Sequence, residues 1–252
     1  MPFLPFFSKK YTLQDLDNYI RVKKEVARSQ MESKCRILII DDSFEDGSYP
    51  FDEQLTSLRN QYNLSITAKS DLENLYDAEA YDLIICDNQG IGIKIYGRFA
   101  SGLNLLKGLI EKYPHKNYVL CSNVDVNINN FANNQKDLTR VKVWSKDVLA
   151  DNERRGADSF SEKVRAEVDY TLDPVARWKM IRRNFISKTN ISLSALARLE
   201  DAYVQSIMLN NPSYYERASR RISSTSEPGS FSVFLLASKS IVEFTISILS
   251  LL

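Results

Sequence analysis

From Cys35 onward the chain alternates short apolar runs with segments of helical spacing, and this alternation limits the fold more than any other feature. The runs are CRILIIDD (35–42), LSITA (64–68), YDLIICD (81–87), NYVLCS (117–122) and VKVWS (141–145). Between them lie FDEQLTSLRNQY (51–62), DLENLYDAE (71–79), SGLNLLKGLIEKY (101–113) and VNINNFANN (126–134), the last too rich in asparagine to be a good helix former. Runs rich in Ile, Val and Leu suit strands buried on both faces, and intervening helices suit parallel pairing. The expected fold class is α/β, with a doubly wound five-stranded parallel sheet. Such sheets bind ligands beyond the carboxyl ends of their strands. Asp41 and Asp42 end the first run, Asp87 the third and Ser122 the fourth, while Lys146 follows the fifth. These five groups are expected to meet in one small pocket.

Bulk properties exclude several alternatives. At 252 residues and 44% hydrophobic content, the chain can form one domain of ordinary size and a smaller second one. Lys and Arg number 33 against 32 Asp and Glu, so no basic excess points to nucleic acid. Cys35, Cys86 and Cys121 each lie in or beside an apolar run, which suits small buried side chains better than a disulfide framework or a zinc site. This fits a cytoplasmic protein. His115 has no second histidine with which to build a histidine metal cluster. The opening MPFLPFFSKK has its charges after its apolar residues and does not read as a secretory signal.

Three regions are expected. Residues 1–33 form an N-terminal helical extension: Thr12 and Asp15 read as a cap, and Leu13, Leu16, Ile20, Val26 and Ala27 lie roughly on one side. Residues 34–172 hold the sheet. Residues 173–252 form a small all-helical module, opened by Asp173 and Pro174, with Val175, Trp178, Ile181 and Phe185 as an apolar stripe. Further helices are expected at 192–209, 213–222 and 231–252. Two arginine clusters, Arg177/Arg182/Arg183 and Arg217/Arg220/Arg221, read as solvated helix surface, because acids nearly balance them. The stretch SLSALARLEDAYVQSI lacks a glycine-containing turn, so DNA is not an expected partner. The final segment, residues 231–252, is long enough to span a bilayer, but Lys239 and Glu243 lie within it. A helix packed in the module or against a second copy, giving a homodimer, is preferred to a membrane anchor.

The strings ILIIDDS, DLIICD, SGLNLLKGL, VLCSN and VWSKD, in that order, resemble the receiver domain of two-component response regulators over residues 34–172. The resemblance implies a flavodoxin-like receiver and a phosphoprotein of signal transduction that is not an enzyme beyond slow self-dephosphorylation. Asp87 would be the phosphoacceptor. An aspartate can attack phosphorus only where charge repulsion is suppressed, which calls for a divalent cation and a fixed positive side chain. Mg²⁺ would be held by Asp42, Asp87 and the backbone carbonyl of Gln89, with Asp41 acting through water. Lys146 would pair with one phosphoryl oxygen and Ser122 would donate to another, drawing its loop inward. The donor would be a histidine kinase, a phosphotransfer protein or a small acyl phosphate. The helical module would change its protein contacts in response. Two other outputs fit the same pocket: a phosphate sink in a phosphorelay, as in some bacterial signalling and defence operons, and a membrane-acting effector using the terminal helix.

The sequence departs from the receiver pattern at several places. The loop NQGIGIKIYGRFASG (88–102) is longer than usual and carries Gly90, Gly92, Gly97, Gly102, Lys94 and Arg98, which suits either a basic flap over the pocket or a surface insertion. Glu45 and Asp46 stand near the acidic pair, where they would tune the cation or face water. Asn123 replaces the usual small residue after Ser122. Val143, beside Trp144, occupies the place of the aromatic switch residue, and Asp147 replaces the proline after the lysine.

Overall fold

The computed structural model describes residues 10–123, 141–155, 159–186, 191–223 and 230–251. Contacts divide the chain into two compact units, Ala27–Arg177 and Met1–Val26 with Trp178–Leu252. The division falls inside helices α1 (Leu13–Glu32) and α7 (Pro174–Ile186). In α1 the backbone leaves helical geometry at Ala27 (φ −137°, ψ 31°). Leu16 and Ile20 are buried, whereas Val26, expected on the same face, is 83% exposed. Val26 stands next to that interruption, so 3.6-residue spacing does not carry the apolar face through it.

In the larger unit, β1 (Arg36–Ile40), β2 (Ser65–Lys69), β3 (Leu83–Cys86), β4 (Asn117–Ser122) and β5 (Lys142–Ser145) form one all-parallel sheet in the order β2-β1-β3-β4-β5. Its helices are α2 (Asp52–Tyr62), α3 (Ile93–Tyr96), α4 (Gly102–Lys112), α5 (Lys146–Arg155) and α6 (Phe160–Thr171). Ser101 and Asn104 form a reciprocal capping box that starts α4. Leu105, Leu106 and Leu109 of α4 then share one core cluster with Leu38, Ile40, Ile84, Cys86 and Leu120. Each large aliphatic side chain removed from water there contributes about 1.5–3 kcal/mol. Ile37, Ile39, Leu83 and Ile85 are buried as well. Phe160, Val164 and Val168 of α6 are buried, and this helix packs on α2 and β3.

The segment 71–79 is not a helix but a single 3-10 turn, Leu75–Ala78. Its polar side chains compete for local backbone: Asn74 and Asp77 cap the turn, and Asp71 accepts from Leu72 N–H at 2.8 Å. The asparagine-rich segment 126–134 lies outside the described residues.

In the smaller unit, α8 (Leu193–Met208), α9 (Ser213–Ser223) and α10 (Ser230–Leu249) pack on one another. Trp178 lies 4.6 Å from the Tyr203 ring and 5.7 Å from Phe234, and its indole N–H donates to Glu200 at 2.8 Å. The turn between α8 and α9 has Asn210 at φ 51°, a left-handed conformation that asparagine adopts more readily than most residues. Phe231–Leu249 is long and apolar enough to cross a membrane, but Phe234, Ala237, Ile241 and Val242 are buried, and Lys239 pairs with Glu216 at 3.0 Å.

Candidate phosphoacceptor and cation site

Strand register brings the polar groups together. Ile40 pairs with Cys86, so Asp41 and Asp87 leave neighbouring strands side by side. Asp87 N–H donates to Ile40 O at 2.8 Å, and Asp41 N–H to Lys69 O at 3.0 Å. On the other side Cys86 pairs with Leu120 and Ser122 with Ser145. Ser122 therefore closes β4, and Lys146 opens α5 as the next residue beyond β5.

Lys146 Nζ lies 2.7 Å from Asp41 Oδ2 and 3.0 Å from Asp87 Oδ2. Asp41, Asp87, Ser122 and Lys146 are all buried, while Asp42 is exposed. Asp41, Asp42 and Asp87 each present a carboxylate oxygen within 4.8 Å of the others. Both oxygens of Asp41 are engaged: Oδ2 by Lys146, and Oδ1 by the N–H of Ser43 at 3.2 Å and by the Ser43 hydroxyl. Asp87 Oδ1 accepts from Asn88 N–H at 2.6 Å. Burial raises the Asp87 carboxyl despite Lys146. Burial lowers the Lys146 ammonium, but hydrogen bonding and attraction from Asp41 and Asp87 outweigh it, so its pKa is raised. The pocket thus holds one firmly charged cation between two carboxylates.

Glycines let backbone approach the carboxylates. A Cβ on Gly102 would stand 1.7 Å from the carbonyl oxygen of Asp87, so the start of α4 sits against the phosphoacceptor candidate. Gly102 N–H donates to Asn88 O at 2.8 Å. A Cβ on Gly90, at φ +68°, would stand 2.0 Å from Asp42 Oδ2.

Five sequence-predicted residues, Asp41, Asp42, Asp87, Ser122 and Lys146, occupy adjoining strand ends. Gln89 is exposed in the loop directly after Asp87. Asp46 accepts from Ser48 N–H and hydroxyl, which lower its pKa, and Glu45 is exposed. Lys94 pairs with Glu73 at 2.6 Å, and Arg98 lies over the Phe99 ring at 4.8 Å. Val143 is exposed, whereas Trp144 is buried and meets Phe160 edge-on at 6.2 Å. Asn123 is exposed.

Sequence reasoning missed Ser43, the close approach of Gly90 to Asp42, and Tyr49. The Tyr49 ring stacks on Phe44 at 4.2 Å and meets Phe51 at 5.9 Å. Burial, then Cys121, Asp41 and Asp87, push its hydroxyl pKa up. Ser43 was readable in principle, since a serine two residues after an aspartate is a common partner for its carboxylate.

The donor set is entirely oxygen and carries net negative charge, which fits a hard divalent cation such as Mg²⁺. Lys146 contacts both Asp41 and Asp87, and each of these accepts on its other oxygen as well, from Ser43 and from Asn88 N–H respectively, whereas Asp42 is exposed. No protein-family model matches the chain, and no curated protein matches it in sequence.

Proposed function

We propose that this chain is a receiver-type signalling protein that accepts a phosphoryl group on Asp87 in a Mg²⁺-dependent reaction. The observation that carries the reading is Lys146 Nζ shared between Asp41 and Asp87 at the carboxyl ends of adjoining strands. The strand order β2-β1-β3-β4-β5 supports it, because flavodoxin-like sheets of the same order bind their ligands at the switch point between β1 and β3. Asp42, Asp87 and the Gln89 carbonyl would hold the cation, with Asp41 acting through water. Bound there, Mg²⁺ would shield the charge of the incoming phosphoryl oxygens.

In the transfer, a carboxylate oxygen of Asp87 forms a bond to phosphorus as the P–N bond of a donor phosphohistidine breaks, and the leaving imidazole nitrogen keeps that electron pair. Lys146 moves its ammonium from the Asp87 carboxylate to a phosphoryl oxygen, and Ser122 donates to another. The natural donor is a histidine kinase or phosphotransfer protein. The helical unit, which has its own packed aromatic core, is the element whose protein contacts change. A beryllofluoride titration with Mg²⁺ tests the reading: wild-type chain should bind saturably and Asp87→Asn should not. Absence of saturable binding to wild type, or equal binding by both, would sink it.

A further inference from the structure

The loop joining β3 to α4 is tied at three places. Ile91, between two glycines of positive φ, is fully buried in the core cluster beside α4. Asp71, beyond β2, accepts from Gly92 N–H at 2.8 Å through Oδ1 and from Lys94 N–H at 3.2 Å through Oδ2. Tyr96 places its hydroxyl where a Cβ on Gly108 of α4 would be 2.1 Å away. Between these ties and Asp87, Gly90 lies against the Asp42 carboxylate. The side chain of Asp42 is otherwise exposed, so the Gly90 backbone is a wall that removes part of its rotational freedom.

We infer that this loop is a seat for Asp42 and that Asp71 is a positioning residue for divalent-cation binding, acting through Gly92 and Gly90. The inference rests on the cation-binding reading above. Asp71 touches no candidate ligand; its two loop contacts fix the backbone two and four residues after Gly90. Groups that orient a metal ligand commonly govern affinity as strongly as a weak ligand does, because the free protein then spends less on ordering the site. An untied loop would let Asp42 turn to solvent.

The test is calorimetric titration of the full chain with Mg²⁺. Asp71→Ala is expected to weaken binding about tenfold. Asp71→Asn, whose amide oxygen can still accept from Gly92 N–H, should recover part of that loss. Glu73→Gln, which removes only the charge facing the Lys94 side chain, should bind as wild type does. Lys94→Pro deletes one donor to Asp71 at an early helical position, where proline is tolerated, and should weaken binding a few-fold. It carries the test if Asp71→Ala does not fold. Reduced melting temperature with unchanged Mg²⁺ affinity in Asp71→Ala, or in Lys94→Pro where that variant decides, overturns the inference and leaves the proposed function standing. Failure of wild-type chain to bind Mg²⁺ overturns both.

Discussion

The ammonium of Lys146 lies 3.0 Å from Oδ2 of Asp87, and both side chains are less than a tenth exposed. Lys146 is also the partner of Asp41, so its removal leaves two buried carboxylates facing each other. Breaking a buried pair on one side costs more than the pair contributes, and Lys146→Met should lower the unfolding free energy by about 2–4 kcal/mol. A divalent cation can replace the missing charge. Urea unfolding with and without Mg²⁺ should therefore show a larger stabilisation by Mg²⁺ in Lys146→Met than in wild type.

Gly102→Ala places a methyl group against the backbone of Asp87, which cannot rotate away. The first turn of α4 must shift, straining its bonds to Asn88. We expect a loss of about 1–3 kcal/mol in unfolding free energy. Weaker beryllofluoride binding should accompany it, since Asp87 moves with its carbonyl. A stability loss with intact binding would show that α4 does not set the position of Asp87.

At the opposite end of the sheet, Lys116 is buried and donates to the carbonyls of Ala78, at 2.9 Å, and of Glu79 and Tyr81. These close the turn that precedes β3. Lys116→Met keeps the aliphatic stem but leaves the carbonyls short of a donor, for an expected cost of about 1–3 kcal/mol. Beryllofluoride affinity, read at a temperature where the variant is folded, should not change.

Asp82 accepts from the N–H of Arg36 at 2.9 Å, and burial raises its pKa above the ordinary aspartate value. A carboxyl raised on folding binds its proton more tightly in the native state. Its ionised form therefore detracts from stability at neutral pH, and the penalty disappears as pH falls through the raised value. Asp82→Asn keeps an acceptor for Arg36 without the charge. Its melting temperature should exceed that of wild type at neutral pH, with the gap closing on acidification.

Much of this site could be read from the residues alone, because strand ends are fixed by where apolar runs stop. Ile40 and Cys86 end their runs in the same register, so the adjacency of Asp41 and Asp87 follows from the two strands pairing in parallel. The supports of the site were less legible. Asp71 and Gly92 are 21 residues apart, and nothing local announces their hydrogen bond. Gly90 and Gly102 look like ordinary loop glycines until the backbone beside them is known. Residues 71–79 have helical spacing, but Asp71, Asn74 and Asp77 spend their side chains on backbone N–H groups and reduce the segment to one turn. The break in α1 at Ala27 has neither glycine nor proline to mark it.

The most direct test of the central claim is phosphoryl transfer itself. Full-length chain incubated with acetyl phosphate and Mg²⁺ should gain one phosphoryl group by intact-mass spectrometry, labile to hydroxylamine as an acyl phosphate is. The adduct should be absent in Asp87→Asn and when Mg²⁺ is chelated. An unmodified wild-type chain, or an adduct that persists in Asp87→Asn, would contradict the assignment of Asp87 as the phosphoacceptor.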